Sequence, residues 1–147
     1  MKIYLDACCL NRPFDDQRQP RVRLEAEAIT LILQKLHERE WEWVGSDILF
    51  YELEQTKDAE RRNRLLLLAR QSHKVVGVTN RILSQAEIFE NSGFDGYDAI
   101  HLACAQQEKV NVFLTTDDFL QKAADRNRNL FSFAVVNPVK WLEEVLK

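Results

Sequence analysis

The chain has 147 residues, 46% of them hydrophobic and 29% charged, which is typical of one globular domain spanning residues 1–147. Its formal net charge of −3 argues against a protein that wraps nucleic acid through overall positive charge, although a local basic patch would still bind phosphate. Three cysteines without Cys-x-x-Cys spacing argue against disulfides or a zinc site, and the absence of a signal-peptide pattern or a long apolar run predicts a cytoplasmic protein with no membrane segment.

The hydrophobic pattern predicts strands that alternate with helices along the whole chain. Short apolar and β-branched runs predict strands over residues 3–5, 41–44, 75–78, 112–115 and 132–136. Helical spacing predicts helices over residues 21–40, 48–55, 57–71, 97–107, 117–125 and 139–146, with another that starts at residue 80. Residues 11–19 are predicted to form a loop, and residues 45–47 a turn with a candidate N-cap.

This alternation predicts an α/β fold with a doubly wound, mostly parallel five-stranded sheet and helices on both faces. We expect the strand order 3-2-1-4-5, which places the residues after strands one and four beside each other where the order reverses. The sequence contains neither GxGxxG nor GxxxxGK[ST], and this argues against a nucleotide cofactor.

Four carboxylates follow predicted strands or lie on otherwise apolar helix faces. They are Asp6, Glu52, Asp98 and Asp117. In the predicted sheet Asp6 and Asp117 flank the crevice, and carboxylates gathered there would repel one another unless some are protonated or a cation lies between them. Oxygen ligands of this kind suit Mg²⁺ or Mn²⁺, as one ion or as a pair, and such ions support phosphate chemistry.

Four segments together resemble the motif blocks of the PIN-domain ribonucleases, the fold of the VapC-type toxins of toxin–antitoxin systems. They read YLDACCL, SDILFYELE, GYDAIHLACA and FLTTDDF, and they come in the family's order across nearly the whole chain. The resemblance implies that Asp6, Glu52, Asp98 and Asp117 are catalytic, bind divalent metal and act on single-stranded RNA. It also implies a homodimer and, less directly, an antitoxin partner.

Some positions depart from the family pattern or leave a choice open. Cys8 stands where the family often carries Asn or Ser, so a hydrogen bond beside the first acid is expected to be missing or relocated. Asp118 follows Asp117 directly, and the Thr-x-Asp spacing from Thr115 favours Asp117 as the fourth acid. Asp95 is another possible contributor to the site.

Each acid also has a structural interpretation. Asp6 and Asp117 are placed to cap the turns that follow them, and Asp98 is placed to stabilise a first helical turn. Glu52 would form a structural pair if an arginine such as Arg12, Arg61 or Arg62 lay near it. His101 lies one helical turn after Asp98, a position that suits a ligand or a proton shuttle, but we interpret it as a core histidine held by a hydrogen bond.

A nuclease with an acidic site needs local positive charge to hold its substrate. The arginines before and at the start of the first long helix are the best candidates: Arg12, Arg18, Arg21 and Arg23. Among them Arg12 is predicted to contact substrate, as is Thr115, which matches a hydroxyl residue that the family places two before its last acid.

The leading hypothesis is therefore a hydrolase, a Mg²⁺- or Mn²⁺-dependent endoribonuclease. A catalytically silent PIN-fold module that binds nucleic acid or protein is the alternative. A third possibility is a small-molecule phosphohydrolase, against which Cys8 counts, because that chemistry usually needs a second acid two residues after the nucleophile.

Overall fold

The computed structural model describes residues 1–147 and contains one five-stranded sheet in which all neighbouring strands are parallel. The strands are β1 (Lys2–Leu5), β2 (Glu42–Ser46), β3 (Lys74–Val76), β4 (Val112–Leu114) and β5 (Ala134–Val136). Their order is β3-β2-β1-β4-β5, which confirms the predicted doubly wound α/β fold and its strand order.

Eight α-helices accompany the sheet. They are α1 (Ala7–Asn11), α2 (Pro20–His37), α3 (Asp47–Glu54), α4 (Ala59–Ala69), α5 (Asn80–Asn91), α6 (Gly96–Gln107), α7 (Asp118–Arg126) and α8 (Pro138–Val145). All except α2 follow an Asp, Asn, Ser or Thr whose side chain accepts a first-turn N–H, and α2 begins with a proline instead. None of the helices has both the length and the apolar composition needed to cross a membrane.

Hydrophobic cores cover both faces of the sheet, so the central strand β1 is buried from both sides. Tyr4 packs in the core formed with α5, α6 and α7, whereas Ile3 and Leu5 pack in the core formed with α2, α4 and α8. Successive side chains of a strand point to opposite faces of the sheet, and both faces are covered here, so all three side chains are fully buried. The residue that follows β1 is therefore anchored by a strand that is buried on both faces.

The carboxyl ends of β1 and β4 lie side by side where the strand order reverses. Leu5 pairs with Leu114, and the Asp6 N–H continues the ladder by donating to the Leu114 carbonyl at 3.0 Å. The segments that follow the two strands consequently meet at one edge of the sheet, which is where parallel α/β sheets place their binding sites.

The first loop is more regular than the sequence predicts. Part of the predicted loop over residues 11–19 continues the short helix α1 and then forms a 3₁₀ turn, Arg12–Phe14. Asp6 starts α1 by accepting the Ala7 N–H, and five residues are too few for hydrophobic periodicity to reveal the helix.

The predicted turn at residues 45–47 is wrong, since β2 continues through Gly45 to Ser46. Gly45 serves close packing here, because a Cβ atom at this position would lie 3.0 Å from the Ser72 hydroxyl oxygen. Ser46 is the N-cap of α3, and its hydroxyl accepts the Leu49 N–H at 3.1 Å. The strand therefore leads into the helix without an intervening turn.

Candidate metal centre at the edge of the sheet

Asp6 is the most firmly held of the four predicted acids. Its side chain is buried, with the residue only 5% exposed. Oδ1 accepts the Ala7 N–H at 2.8 Å, and Oδ2 accepts the Thr115 hydroxyl at 2.8 Å. Burial raises the pKa of Asp6, and the charge of Glu52 adds to this, while the Thr115 hydrogen bond partly opposes it. The carboxylate is thus fixed in position but costly to ionise without a cation.

Cys8 takes over a hydrogen-bonding position beside Asp6. Its Sγ lies 3.5 Å from Asp6 Oδ2 and 3.3 Å from Thr115 Oγ1, and it accepts the Thr116 N–H at 3.3 Å. The sequence predicts that a hydrogen bond beside Asp6 is missing or relocated. In the structure the Cys8 thiol makes a contact at this position. A thiol is a weak donor, so this contact is weaker than one from a hydroxyl or an amide would be.

Asp98 lies in the first turn of α6, after the N-cap Asp95, whose side chain accepts the Asp98 N–H at 3.0 Å. The Asp98 carboxylate itself makes no hydrogen bond or ion pair with the chain. Partial burial and the negative charges of Asp6 and Asp95 raise the pKa of Asp98 to about 7, and the charge of Asp117 adds to them. Asp98 is therefore close to other acids and lacks a cation of its own.

Asp117 and Asp118 have different surroundings. Asp117 is the N-cap of α7, where its Oδ1 accepts the N–H groups of Phe119 at 2.9 Å and Leu120 at 3.2 Å. Asp118 instead forms two hydrogen bonds of 2.8 Å to the guanidinium of Arg21. Because Asp118 is paired with an arginine and Asp117 is not, the geometry favours Asp117 as the fourth acid.

Glu52 is paired with a histidine rather than with an arginine. Its Oε1 lies 2.9 Å from Nε2 of His101, which is fully buried, as we expected for a core histidine. The other ring nitrogen, Nδ1, lies 2.6 Å from the Tyr4 hydroxyl, and that hydroxyl lies 2.6 Å from Ser46 Oγ. The sequence interpretation placed His101 in the core but missed its contact with the site. Its spacing of one helical turn from Asp98 was the available signal.

A divalent cation fits this group of side chains. Ligand atoms of Asp6, Glu52 and His101 lie within 4.8 Å of one another. His101 has no lone pair to offer, because Nε2 must carry hydrogen to meet the acceptor-only carboxylate of Glu52 and Nδ1 is bonded to the Tyr4 hydroxyl. The donors that remain are carboxylate oxygens, which suit Mg²⁺ or Mn²⁺. A cation here would also relieve the repulsion that raises the pKa of Asp98.

Several arginines next to this centre are already paired with carboxylates, in a group that we call the arginine–carboxylate network. Its members are Arg12, Arg21, Arg61, Asp15, Glu25 and Asp118. Glu25, which is 1% exposed, accepts from Arg12 Nε at 2.8 Å, Arg21 Nε at 3.2 Å and the Asn137 amide at 2.6 Å. The buried charge of Glu25 is therefore well compensated.

The two residues predicted to contact substrate both make internal contacts. Arg12 is bonded to Glu25 and, at 2.9 Å, to Asp15, while Thr115 is fully buried and donates to Asp6. Arg18 is likewise paired, with Asp16. Direct contact of Arg12 or Thr115 with substrate stays a prediction.

The fold and the carboxylate centre define a class of α/β protein with an acidic site at the switch point of a parallel sheet. A family model described as the PIN domain matches residues 3–126, and the chain belongs to this family. No curated protein matches the sequence.

Two solved structures share the fold. One is a chain of VapBC2 from Rickettsia felis bound to a DNA fragment from their promoter, with 12% identity and a TM-score of 0.60 over 93% of this chain and 98% of that chain. The other is a chain of VapBC-1 from nontypeable Haemophilus influenzae, with 17% identity and a TM-score of 0.60 over 94% of this chain and 98% of that chain. At these identities the likeness concerns the fold.

Proposed function

We propose that this PIN-domain protein is a metal-dependent endoribonuclease that hydrolyses RNA phosphodiester bonds. The observation that carries the proposal is that ligand atoms of Asp6 and Glu52 lie within 4.8 Å of each other, while Asp98 has its pKa raised to about 7 by burial and by the charges of Asp6, Asp95 and Asp117. Such a group of acids has little structural value unless a cation joins it.

The four acids are proposed to hold Mg²⁺ or Mn²⁺. When bound, a divalent ion would lower the pKa of a water molecule and stabilise charge on the phosphate oxygens. The chain's own contribution is position, because Asp6 is held by Ala7 and Thr115 and Asp117 is held by the first turn of α7. Carboxylates fixed in this way need little reorganisation when the ion and the substrate arrive.

Two half-exposed tyrosines support single-stranded RNA as the substrate. Tyr51 directly precedes Glu52 and is 50% exposed, and Tyr97 directly precedes Asp98 and is 44% exposed. Their ring centroids are 6.0 Å apart in an edge-to-face arrangement. Accessible aromatic rings beside a phosphate-directed site are suited to stacking with unpaired bases, and stacking contributes about 1–3 kcal/mol per base.

We further propose that the protein is the toxin of a toxin–antitoxin pair and that it forms a homodimer. The PIN-domain match and the fold shared with chains of VapBC complexes support an antitoxin partner. An adjacent reading frame for a small DNA-binding protein, whose product co-purifies with this chain, would support the pair. Molar mass in solution, measured for the isolated chain and the co-expressed complex, tests the homodimer.

The central experiment follows cleavage of a labelled single-stranded RNA with Mn²⁺, with Mg²⁺ and with EDTA. We expect cleavage with either ion, none in EDTA, and recovery when the ion is returned. Absence of cleavage under all conditions would contradict the proposal. RNA binding that is unaffected by EDTA and occurs without turnover would instead favour a silent binding module.

A further inference from the structure

A chain of buried hydrogen bonds starts and ends on the same helix. The Leu49 N–H in the first turn of α3 donates to Ser46 Oγ at 3.1 Å, and Ser46 Oγ lies 2.6 Å from the Tyr4 hydroxyl. Tyr4 lies 2.6 Å from His101 Nδ1, and His101 Nε2 lies 2.9 Å from Glu52 Oε1, which is one turn further along α3. We call this chain of contacts the tyrosine–histidine relay.

Donor and acceptor capacities give the relay a direction. The Glu52 carboxylate only accepts, so His101 Nε2 donates to it in both the neutral and the protonated imidazole. In the neutral ring Nδ1 then accepts from the Tyr4 hydroxyl, which in turn accepts from Ser46. Ser46 Oγ in turn accepts the Leu49 N–H with one of its two lone pairs. Every polar atom of the relay then has a partner, as buried groups require.

The relay is closed to solvent everywhere except at its last member. Tyr4, Ser46 and His101 are all fully buried, whereas the Glu52 side chain is 31% exposed. Tyr4 also stacks on Phe113 with ring centroids 5.0 Å apart, and this restricts its ring. A rigid internal chain that delivers one N–H to a partly exposed carboxylate fixes the position of that carboxylate.

We propose that Tyr4 and His101 are positioning residues for the metal site, which they serve by holding Glu52 in the orientation that a divalent ion requires. The inference rests on the proposed metal-dependent function. Hydrogen-bond partners behind ligating carboxylates orient them, and their loss typically costs about 10- to 100-fold in metal affinity or activity. Neither residue touches the ion in this arrangement.

The experiment measures Mn²⁺ affinity by calorimetry on the full chain, without RNA. Tyr4→Phe keeps the ring and removes only the hydroxyl, and His101→Leu removes the donor to Glu52. We expect both to raise the Mn²⁺ dissociation constant about 10- to 100-fold. His101→Gln, whose amide N–H can reach Glu52 from a similar distance, should recover part of this loss.

Phe89→Leu is the matched control, because Phe89 is fully buried in the same core as Tyr4 but makes no polar contact. It should lower thermal stability and leave Mn²⁺ affinity unchanged. In a Glu52→Gln background Tyr4→Phe should have no further effect on Mn²⁺ affinity, since it acts through Glu52.

The outcomes separate this inference from the proposed function. If the wild-type protein binds Mn²⁺ and folded Tyr4→Phe binds it equally well, the relay has no positioning role while the metal site stands. An equal loss of affinity in Phe89→Leu would also overturn the inference, because general destabilisation would then explain the effect. If the wild-type protein binds neither Mn²⁺ nor Mg²⁺, the proposed function fails as well.

Discussion

The carboxylates of the candidate metal centre and those of the arginine–carboxylate network differ in what neutralises them. In the network, Glu25 is more deeply buried than Asp98 yet receives two arginines and an amide. Asp98 receives no cation from the chain, and its pKa is raised to about 7. The contrast is sharpest between the sequence neighbours Asp117 and Asp118. Asp117 accepts backbone N–H groups as the N-cap of α7, whereas Asp118 is paired with Arg21.

This difference separates a structural role from a functional one. A buried carboxylate that is paired with an arginine of the same chain holds the two segments in a defined geometry, and loss of either partner destabilises the fold. Acids that raise one another's pKa repel each other and so reduce the stability of the fold. Such a group is typical of a functional site, where a bound cation offsets the repulsion. Substitutions in the two regions should therefore change different measurements.

The largest effect is expected from Asp98→Asn. Loss of one metal-holding acid should reduce Mn²⁺-dependent RNA cleavage about 100- to 1,000-fold, which corresponds to several kcal/mol of transition-state stabilisation. The free energy of unfolding in EDTA should not fall, because a repulsive charge is removed. Single-turnover cleavage and urea denaturation measure the two quantities. Asp95→Asn is the control, since Asn caps a helix as well as Asp does, and similar cleavage by both variants would contradict the assignment of Asp98.

Glu25→Gln should produce the opposite pattern. The amide keeps the shape of the side chain but loses charge-assisted hydrogen bonds to Arg12 and Arg21, so we expect the free energy of unfolding to fall by about 2–3 kcal/mol. Mn²⁺ affinity should stay unchanged. Glu60→Gln, in the exposed pair with Arg64, should cost less than about 0.5 kcal/mol. A loss of Mn²⁺ affinity in Glu25→Gln would mean that the two regions are not separate.

The pH dependence of stability in EDTA should also distinguish Asp98. The carboxyl ionises near its ordinary value of 3.8 in the unfolded chain but at about 7 in the fold, so the folded state favours the protonated form. As pH rises through this window, the wild-type protein should lose stability relative to Asp98→Asn. Urea denaturation at about pH 4.5 and about pH 7.5 measures the change. A difference between the two proteins that is the same at both pH values would refute this account.

The smallest effect is expected from Asp118→Asn. Asp118 and Arg21 are both more than half exposed, so their pair should contribute only about 0.2–1 kcal/mol to the free energy of unfolding. Cleavage should remain close to that of the wild type, whereas Asp117→Asn should reduce it strongly. If Asp118→Asn were the more damaging of the two in the cleavage assay, the fourth acid would be Asp118.

The positions of the acids could be predicted from local patterns. Asp6 ends a short apolar run that predicts a buried strand, and this places its carboxylate at the edge of the sheet. Asp117 follows the fourth strand in the same way, and the alternation of strands and helices predicted a parallel sheet, for which we expected the strand order that the structure shows. These features depend on residues that are neighbours in sequence.

The partners of those acids could not be predicted in this way. His101 meets Glu52 across 49 residues and Tyr4 across 97, through packing of α3, α6 and β1 that no local periodicity describes. The candidate substrate arginine Arg12 is bonded to Glu25, whose burial follows from the docking of α2. Short elements such as α1 were missed because five residues give no periodic signal.

The central position of β1 also has a consequence for how the protein is made. Within this domain β1 is synthesised before its neighbour β4, and Thr115 bonds to Asp6 from 109 residues later in the chain. Contacts of such long range form late and slowly during folding. A nascent chain that stops short of β4 therefore leaves one edge of β1 without its partner and lacks the residues after β4 that complete the cleft.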